Sequence, residues 1–582
     1  MGKFNRSGVR PAVTSAVKTD AAPTARTHEG APGYARDAKS ELFLLAVANM
    51  VGENTFYEKA GDRDDRYRQL VRQCALDDAV WTARFLEWLR GDGNMRSASL
   101  VGAAEYVRAR LDAAGTRERR THEAGQGKDA AAWDGDDLSY RITTNRRVIA
   151  SVLQRADEPG ELLAYWTSTY GRAIPKPVKR GVADAVRRLY NERNLLKYDT
   201  DSKGFRFGDV IDLVHPTPDG DKLWQGALFQ HALDRRHGRD VTQMDLHRAG
   251  LDTIVAQNAL RRRVGEGEHE LLLDSAALKL AAMTWEDALS LAGSRVDKAR
   301  LWEALIPSMG IFALVRNLRN FDQAGVSDEV AATVAVKLAD HEVIARSRMF
   351  PFRFLAAHKA APSLRWAWPL EQALNHSLAN VPALKGRTLI LVDRSGSMFG
   401  AISEKSGLNR ADSAAVFGTA LALRAEAADL VQFGTRHKPV TVQRGESLLK
   451  VLERFDGMGG TNTAEAVRAN FRGHDRVVIV TDEQASYGWH GADPTGQVPA
   501  NVPVYTWNLA GYQHGHGPSG SGNRHTFGGL SDAAFKLIPC WKQAGTPAGP
   551  GRADSSGRPR THPRVRGLLV LRQRQFAHGE EC

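Results

Sequence analysis

Leu389-Ile390-Leu391-Val392 is an apolar run of strand length that stops without a turn in Asp393-Arg394-Ser395-Gly396-Ser397. Such a run suits a strand buried on both faces, the pattern of a parallel sheet held between helices. The Asp-x-Ser-x-Ser triplet then falls at the carboxyl end of the strand, where open α/β sheets gather their ligands. Downstream come Gly459-Gly460-Thr461-Asn462-Thr463 and a second apolar strand, Val477-Val478-Ile479-Val480, which ends in Thr481-Asp482. Hard oxygen donors on three strand-end loops suit Mg²⁺, which takes few protein groups directly and keeps several waters. Strands near 388–392, 430–434, 477–481 and 503–508 alternate with helices near 410–428, 446–455 and 463–471. That alternation predicts a doubly wound, Rossmann-like parallel sheet covered on both faces.

These three loops, in this order, resemble the metal site of von Willebrand factor A domains. The resemblance implies that Asp393, Ser395 and Ser397 ligate a divalent ion, Mg²⁺ by preference, from the first loop. Thr461 would ligate from the second, and Asp482 directly or through water from the third. It also implies that one further oxygen comes from an acidic side chain of a partner, so the site reads as an adhesion point and not a catalytic one. A hydrolase needs a positioned base and oxyanion donors, and the adjacency of Glu483 to Asp482 is poor evidence for a base. No Gly-rich phosphate loop of the Walker type occurs in the chain. The expectation is a protein that is not an enzyme.

The first two thirds read differently. From about residue 36 to 380 apolar residues recur at helical spacing, as in Leu42, Leu45, Ala46 and Met50, or Leu100, Ala103, Ala104, Val107 and Leu111. Many short helices without a strand run predict an irregular helical-repeat array. Trp81, Trp88, Trp302, Trp366 and Trp368 fall in such helices and are read as core. Residues 1–35, rich in Ala, Thr, Pro and Gly, are expected to be extended or loosely docked, and Thr116 to Asp137 to form a surface insertion.

A chain of 582 residues exceeds one core, so several domains are expected. The net charge of +12 is unevenly spread: residues 539–582 hold eight Lys/Arg against three Asp/Glu, while 376–538 hold sixteen against fourteen. The bulk is only mildly basic, so any nucleic-acid surface must be a local patch. Cys74, Cys540 and Cys582 make neither a metal pair nor a disulfide framework, and no secretory or membrane-spanning run occurs. The chain reads as cytoplasmic.

Several strings of the helical part resemble the TROVE module of the Ro 60 kDa autoantigen family. They include Lys176-Pro177-Val178-Lys179-Arg180-Gly181-Val182, Leu189-Tyr190-Asn191-Glu192-Arg193 and Phe207-Gly208-Asp209-Val210-Ile211-Asp212-Leu213-Val214-His215-Pro216. Leu314-Val315-Arg316-Asn317-Leu318-Arg319-Asn320-Phe321 and Arg346-Ser347-Arg348-Met349-Phe350-Pro351-Phe352 continue the series. The resemblance implies a HEAT-like helical-repeat ring at 36–380 followed by the A-type domain at 381–538, with a basic tail at 539–582. It further implies binding of small non-coding Y-type RNA on the outside of the ring. Single-stranded 3′ ends of misfolded RNAs would pass through the hole for quality control, with a 3′ exoribonuclease as an associated partner. Lys and Arg on a rigid surface neutralise phosphates and release counterions, and a narrow hole selects single strands by shape. The candidate RNA contacts are Lys179, Arg180, Lys197, Lys203, Arg206, His215, Arg316 and Arg319. A surface cation is most often merely solvated, and a histidine before proline also serves as a helix cap.

The rival from another class is a metal-dependent protein-adhesion or assembly module without an RNA role. A zinc site at His514, His516 and His525 is disfavoured, since the histidines lie in a Gly/Ser-rich loop without a cysteine or carboxylate set.

Overall fold

A computed structural model describes residues 15–530, apart from 16, 49–50, 124–142, 201–203, 379–380, 382, 404–406 and 487–492. The tail at 539–582 and Lys203 lie outside the described residues, as does most of the insertion expected at 116–137. The helix Arg96–Glu123 runs into the insertion's first part. The chain divides into two compact units. One draws on Met1–Asn49, Thr55–Tyr57 and Leu378–Cys582, the other on Met50–Asn54 and Glu58–Ser377.

The second unit is helical. Its helices pack in pairs: Ala60–Asp77 on Arg96–Glu123, Asn145–Val152 on Lys176–Leu189, Phe207–Val214 on Leu223–His237, and Asp328–Ala339 on Leu364–Ser377. Lys176–Leu189 shows why. Val178, Val182, Ala185 and Val186 form one fully buried stripe, with Arg180 on the exposed side. Burying each valine contributes about 1.5–3 kcal/mol. Gly181 lets the partner helix come close, for a β-carbon there would lie 2.6 Å from the Arg146 carbonyl oxygen. The array returns to its start: Asn94 Nδ2 donates to the Arg348 carbonyl (2.8 Å), and Arg348 Nη1 to the Gly91 carbonyl (3.1 Å). Trp81, Trp88, Trp302 and Trp366 are core, but Trp368 is 61% exposed. Two residues along a helix turn a side chain about 200°, so Trp366 and Trp368 take opposite sides.

In the other unit we label six strands: β1 Leu384–Asp393, β2 Ala425–Phe433, β3 His437–Pro439, β4 Arg476–Thr481, β5 Val504–Asn508 and β6 Arg524–Gly528. They form one sheet in the order β3-β2-β1-β4-β5-β6, parallel except for the edge strand β3. Leu389 and Leu391 share a core with Ala466 and Val467 of the helix Thr463–Asn470. On the other face Gly418 of the helix Arg410–Arg424 lies so close to β1 that a β-carbon would stand 2.3 Å from Val392 Cγ2. The expected helix over 410–428 stops at Arg424, because Ala425–Phe433 pairs with β1 in parallel register. Sheet pairing overrides the helix-favouring Ala-Glu-Ala-Ala composition there. Strands β3 and β6 were not expected from the sequence pattern.

The reading of residues 1–35 as loosely docked is corrected for the described part. Val17 bridges Thr526, Gly30 bridges Ser486 and Tyr34 bridges Gly515, so backbone pairing ties the segment to this unit. The helix Ala38–Val47 follows, capped by Asp37, whose side chain accepts from the Ser40 amide (2.8 Å). Ser40–Val47 are all buried, on every side of the helix and not along one apolar stripe. The helix belongs to the α/β unit and not to the helical array. The domain boundaries at 35 and 380 therefore move to the segment near 50–58 and to 377–378.

Candidate metal centre and nucleic-acid surface

Sheet register brings the strand ends together. Asp393 closes β1 with no exposure; its Oδ2 accepts from Thr481 Oγ1 (2.6 Å) at the end of β4, and its Oδ1 from the Ser395 amide (2.9 Å). Ser395 Oγ and Ser397 Oγ stand 3.3 Å apart. The second loop is stitched to the first, as the Gly396 amide donates to the Gly459 carbonyl (2.7 Å) and the Met458 amide to the Arg394 carbonyl (2.9 Å). Thr461 on that loop is buried. Asp482, fully buried, accepts at Oδ1 from the Gln484 amide (3.0 Å), while its Oδ2 has no hydrogen-bond partner.

Burial raises the Asp393 carboxyl above its ordinary range. Burial and then the Asp393 charge push Asp482 up to about 7. Two buried carboxylates with one orphaned oxygen are costly as they stand, and a hard cation would relieve both the repulsion and the missing bond. The donor set is two carboxylates and three hydroxyls. Among the described residues no group of three or more His, Cys, Asp or Glu gathers as a richer metal site would. That finding includes His514, His516 and His525. Glu483 is no base toward this site, since its carboxylate is held by Arg36 Nη2 (2.5 Å) and Asn508 Nδ2 (2.5 Å).

The RNA candidates separate. Lys179 is half-buried and Arg180 exposed on Lys176–Leu189, and neither has a carboxylate partner among the described residues. Arg206 differs: its side chain is 15% exposed and paired with Asp199 (3.0 Å). That pairing engages its guanidinium within the helical unit. His215 adopts a left-handed conformation (φ 47°) and caps Phe207–Val214 with its backbone, while its ring stays at the exposed surface.

Lys197 and Arg316 come together on one wall system, a cavity of about 970 Å³ within the helical unit. Arg155, Arg193 and Lys279 join them, with the aromatics Tyr198, Trp285 and Phe312 and the carboxylates Glu286 and Asp287, the latter paired with Arg261 (3.0 Å). Arg155 is paired with Asp157, but Arg193, Lys197, Lys279 and Arg316 have no carboxylate partner among the described residues. Arg353, whose guanidinium feels Arg316, adds further positive charge nearby. Lys197 Nζ lies 5.1 Å over the Tyr198 ring, and Phe312 is 53% exposed. Arg319, exposed on the same helix as Arg316 (Ile311–Ala324), does not line the cavity. The sequence analysis missed Arg155, Arg193, Lys279 and the aromatic trio. The i,i+4 spacing of Arg193 and Lys197 on one short helix was the available signal.

The TROVE domain model matches residues 275–386. Telomerase protein component 1 of Mus musculus and that of Rattus norvegicus are each 40% identical over 83 residues. Those alignments cover 14% of this chain and 3% of each relative's length. The crystal structure of the Deinococcus radiodurans RO (RSR) protein superposes with a TM-score of 0.54 at 19% identity, covering 86% of this chain and 99% of that one. The likeness to that structure is one of fold: a helical-repeat unit joined to an A-type α/β unit.

Proposed function

We propose, because the chain is a TROVE-domain protein with the fold of a solved Ro protein, that it is an RNA-binding scaffold and not an enzyme. The observation that carries this reading is the cavity whose cations Arg193, Lys197, Lys279 and Arg316 lack carboxylate partners among the described residues. An unneutralised cation is desolvated at a cost that a phosphate would offset, and the interleaved aromatics offer faces on which bases stack. Such a lining suits a single strand and reads no sequence, which fits inspection of many faulty RNAs. The finer reading is a ribonucleoprotein in RNA quality control. A structured Y-type RNA would engage Lys179, Arg180 and His215 on the outer surface. The single-stranded 3′ end of a misfolded RNA would enter the cavity, and a 3′ exoribonuclease would act on what is held.

The α/β unit has its own part in this reading. Asp393, Ser395, Ser397, Thr461 and Asp482 would hold Mg²⁺, which supplies a Lewis-acidic point that a carboxylate of a protein partner can bind. The orphaned Asp482 Oδ2 and the buried carboxylate pair support it. The same features favour the alternative reading, a metal-dependent assembly module without an RNA role. No helix among the described residues is long and apolar enough to cross a membrane, and a cytoplasmic site of action fits the proposal.

The discriminating experiment is the salt dependence of binding to a single-stranded oligoribonucleotide. Four neutralised phosphates give a log–log slope of about −3. A slope near zero, or no binding, would favour the assembly module.

A further inference from the structure

Glu483 directly follows the metal-site carboxylate Asp482 and has a left-handed backbone (φ 62°). A residue with a β-carbon is disfavoured there, because that carbon crowds the following carbonyl oxygen. Asn523, the other non-glycine residue with positive φ described in this unit, is of a type that visits the region readily. A glutamate is not, so its surroundings must hold it there.

An ion pair sealed from solvent does so. Glu483 Oε2 accepts from both Arg36 Nη2 (2.5 Å) and Asn508 Nδ2 (2.5 Å). The side chains of Arg36 and Glu483 are 0% and 2% exposed, and Asn508 ends strand β5 fully buried. Arg36 is fixed in its turn. Its Nη1 donates to the Tyr512 carbonyl, and two residues earlier the Tyr34 amide donates to the Gly515 carbonyl (2.9 Å). A buried carboxylate parted from its cation is left uncompensated, so the Glu483 side chain stays where Arg36 stands.

Both metal-site carboxylates are tied to the backbone of Glu483. Its amide donates to Thr481 Oγ1 (3.0 Å), and that hydroxyl donates to Asp393 Oδ2 (2.6 Å). Beyond it the Gln484 amide donates to Asp482 Oδ1 (3.0 Å), closing a turn that spans Glu483 and takes its shape from the dihedrals there. The turn occupies Oδ1 and leaves the buried Oδ2 as the Asp482 oxygen open to a cation.

We propose that Arg36 is a positioning residue of the metal centre. Through the Glu483 carboxylate it holds Glu483 left-handed, and so fixes the oxygens that Asp393 and Asp482 present to the ion. This rests on reading Asp393, Ser395, Ser397, Thr461 and Asp482 as the metal site. The segment before the helix Ala38–Val47 is then part of the scaffold of that site.

The test is Mn²⁺ titration of the full-length protein by electron paramagnetic resonance and calorimetry, for wild type, Asp393→Asn and variants of the ion pair. Arg36→Met should weaken Mn²⁺ binding by about 10–100-fold, as the loss of an outer-shell partner does. Glycine takes the left-handed conformation freely, so Arg36→Met with Glu483→Gly should return to wild-type affinity. Alanine keeps the β-carbon, so Arg36→Met with Glu483→Ala should bind about tenfold more weakly than the glycine double variant. The two double variants both lack the whole ion pair and differ by one methyl group. A merely structural role of the pair would leave them alike, and they decide the matter even where Arg36→Met alone does not fold. Equal affinities of the two double variants, or wild-type affinity in Arg36→Met, with binding lost in Asp393→Asn, would overturn the proposal and leave the metal site standing. No Mn²⁺ binding by wild type, or full binding by Asp393→Asn, would overturn the metal site and the proposal with it.

Discussion

Reversing two charges in the cavity, Lys197→Glu with Arg316→Glu, is expected to weaken single-stranded RNA binding by about two orders of magnitude at physiological salt. Both side chains line the cavity, and neither has a carboxylate partner among the described residues. Each reversal removes one phosphate contact and puts a repulsive charge in its place. The log–log salt slope should therefore fall by about 1.4 as well. A general loss of folding would lower affinity without that change in slope. Arg346→Glu is the control, since Arg346 is 79% exposed, does not line the cavity and is engaged by Glu342 on its own helix. Its variant should bind RNA as wild type does. Fluorescence anisotropy across a salt series measures both quantities. Unchanged affinity in the double variant would remove the cavity from the RNA path.

The second large effect is on metal-linked stability. A ligand at a hundred times its Kd stabilises the state it binds by about 2.7 kcal/mol. Saturating Mg²⁺ or Mn²⁺ should raise the unfolding temperature of the α/β unit accordingly, and Asp393→Asn should abolish that rise. The variant keeps the size of the side chain and removes one of two buried negative charges. Its metal-free stability should accordingly stay within about 1 kcal/mol of wild type. Differential scanning calorimetry with metal and with chelator tests both statements. A metal-dependent rise that survives in Asp393→Asn would rule out the Asp393 site.

What could be read from the sequence was what neighbouring residues encode. The run Leu389–Val392 and its Asp-x-Ser-x-Ser end specify a buried strand and three oxygen donors within nine residues. The register of β1 with β4 then sets Thr481 against Asp393, a pairing that the sequence pattern did not specify. Tertiary effects were less legible. Ala425–Ala428 has the composition of a helix and folds as strand, because a parallel neighbour supplies its hydrogen bonds. Residues 17–36 carry no periodicity, and their docking is made by backbone bridges that side-chain patterns do not announce.

Charge was the hardest to read. Arg206 and Arg316 look alike in the sequence, yet Asp199 holds one and the other faces an open cavity. Asp199 stands only seven residues from Arg206, whereas the cavity wall around Arg316 is assembled from residues as far back as Arg155. Trp366 and Trp368 teach the same point on a smaller scale: helical periodicity puts both in a helix, and only their angle about it separates core from surface.

The most direct test of RNA scaffolding is binding of the full-length protein to a hairpin RNA with a single-stranded 3′ tail, beside the same hairpin with a blunt end. Tail-dependent binding, lost when Lys197 and Arg316 are reversed, is the expected result. Equal binding of the two RNAs, or binding of neither at physiological salt, would contradict it and leave metal-dependent assembly as the function of the chain.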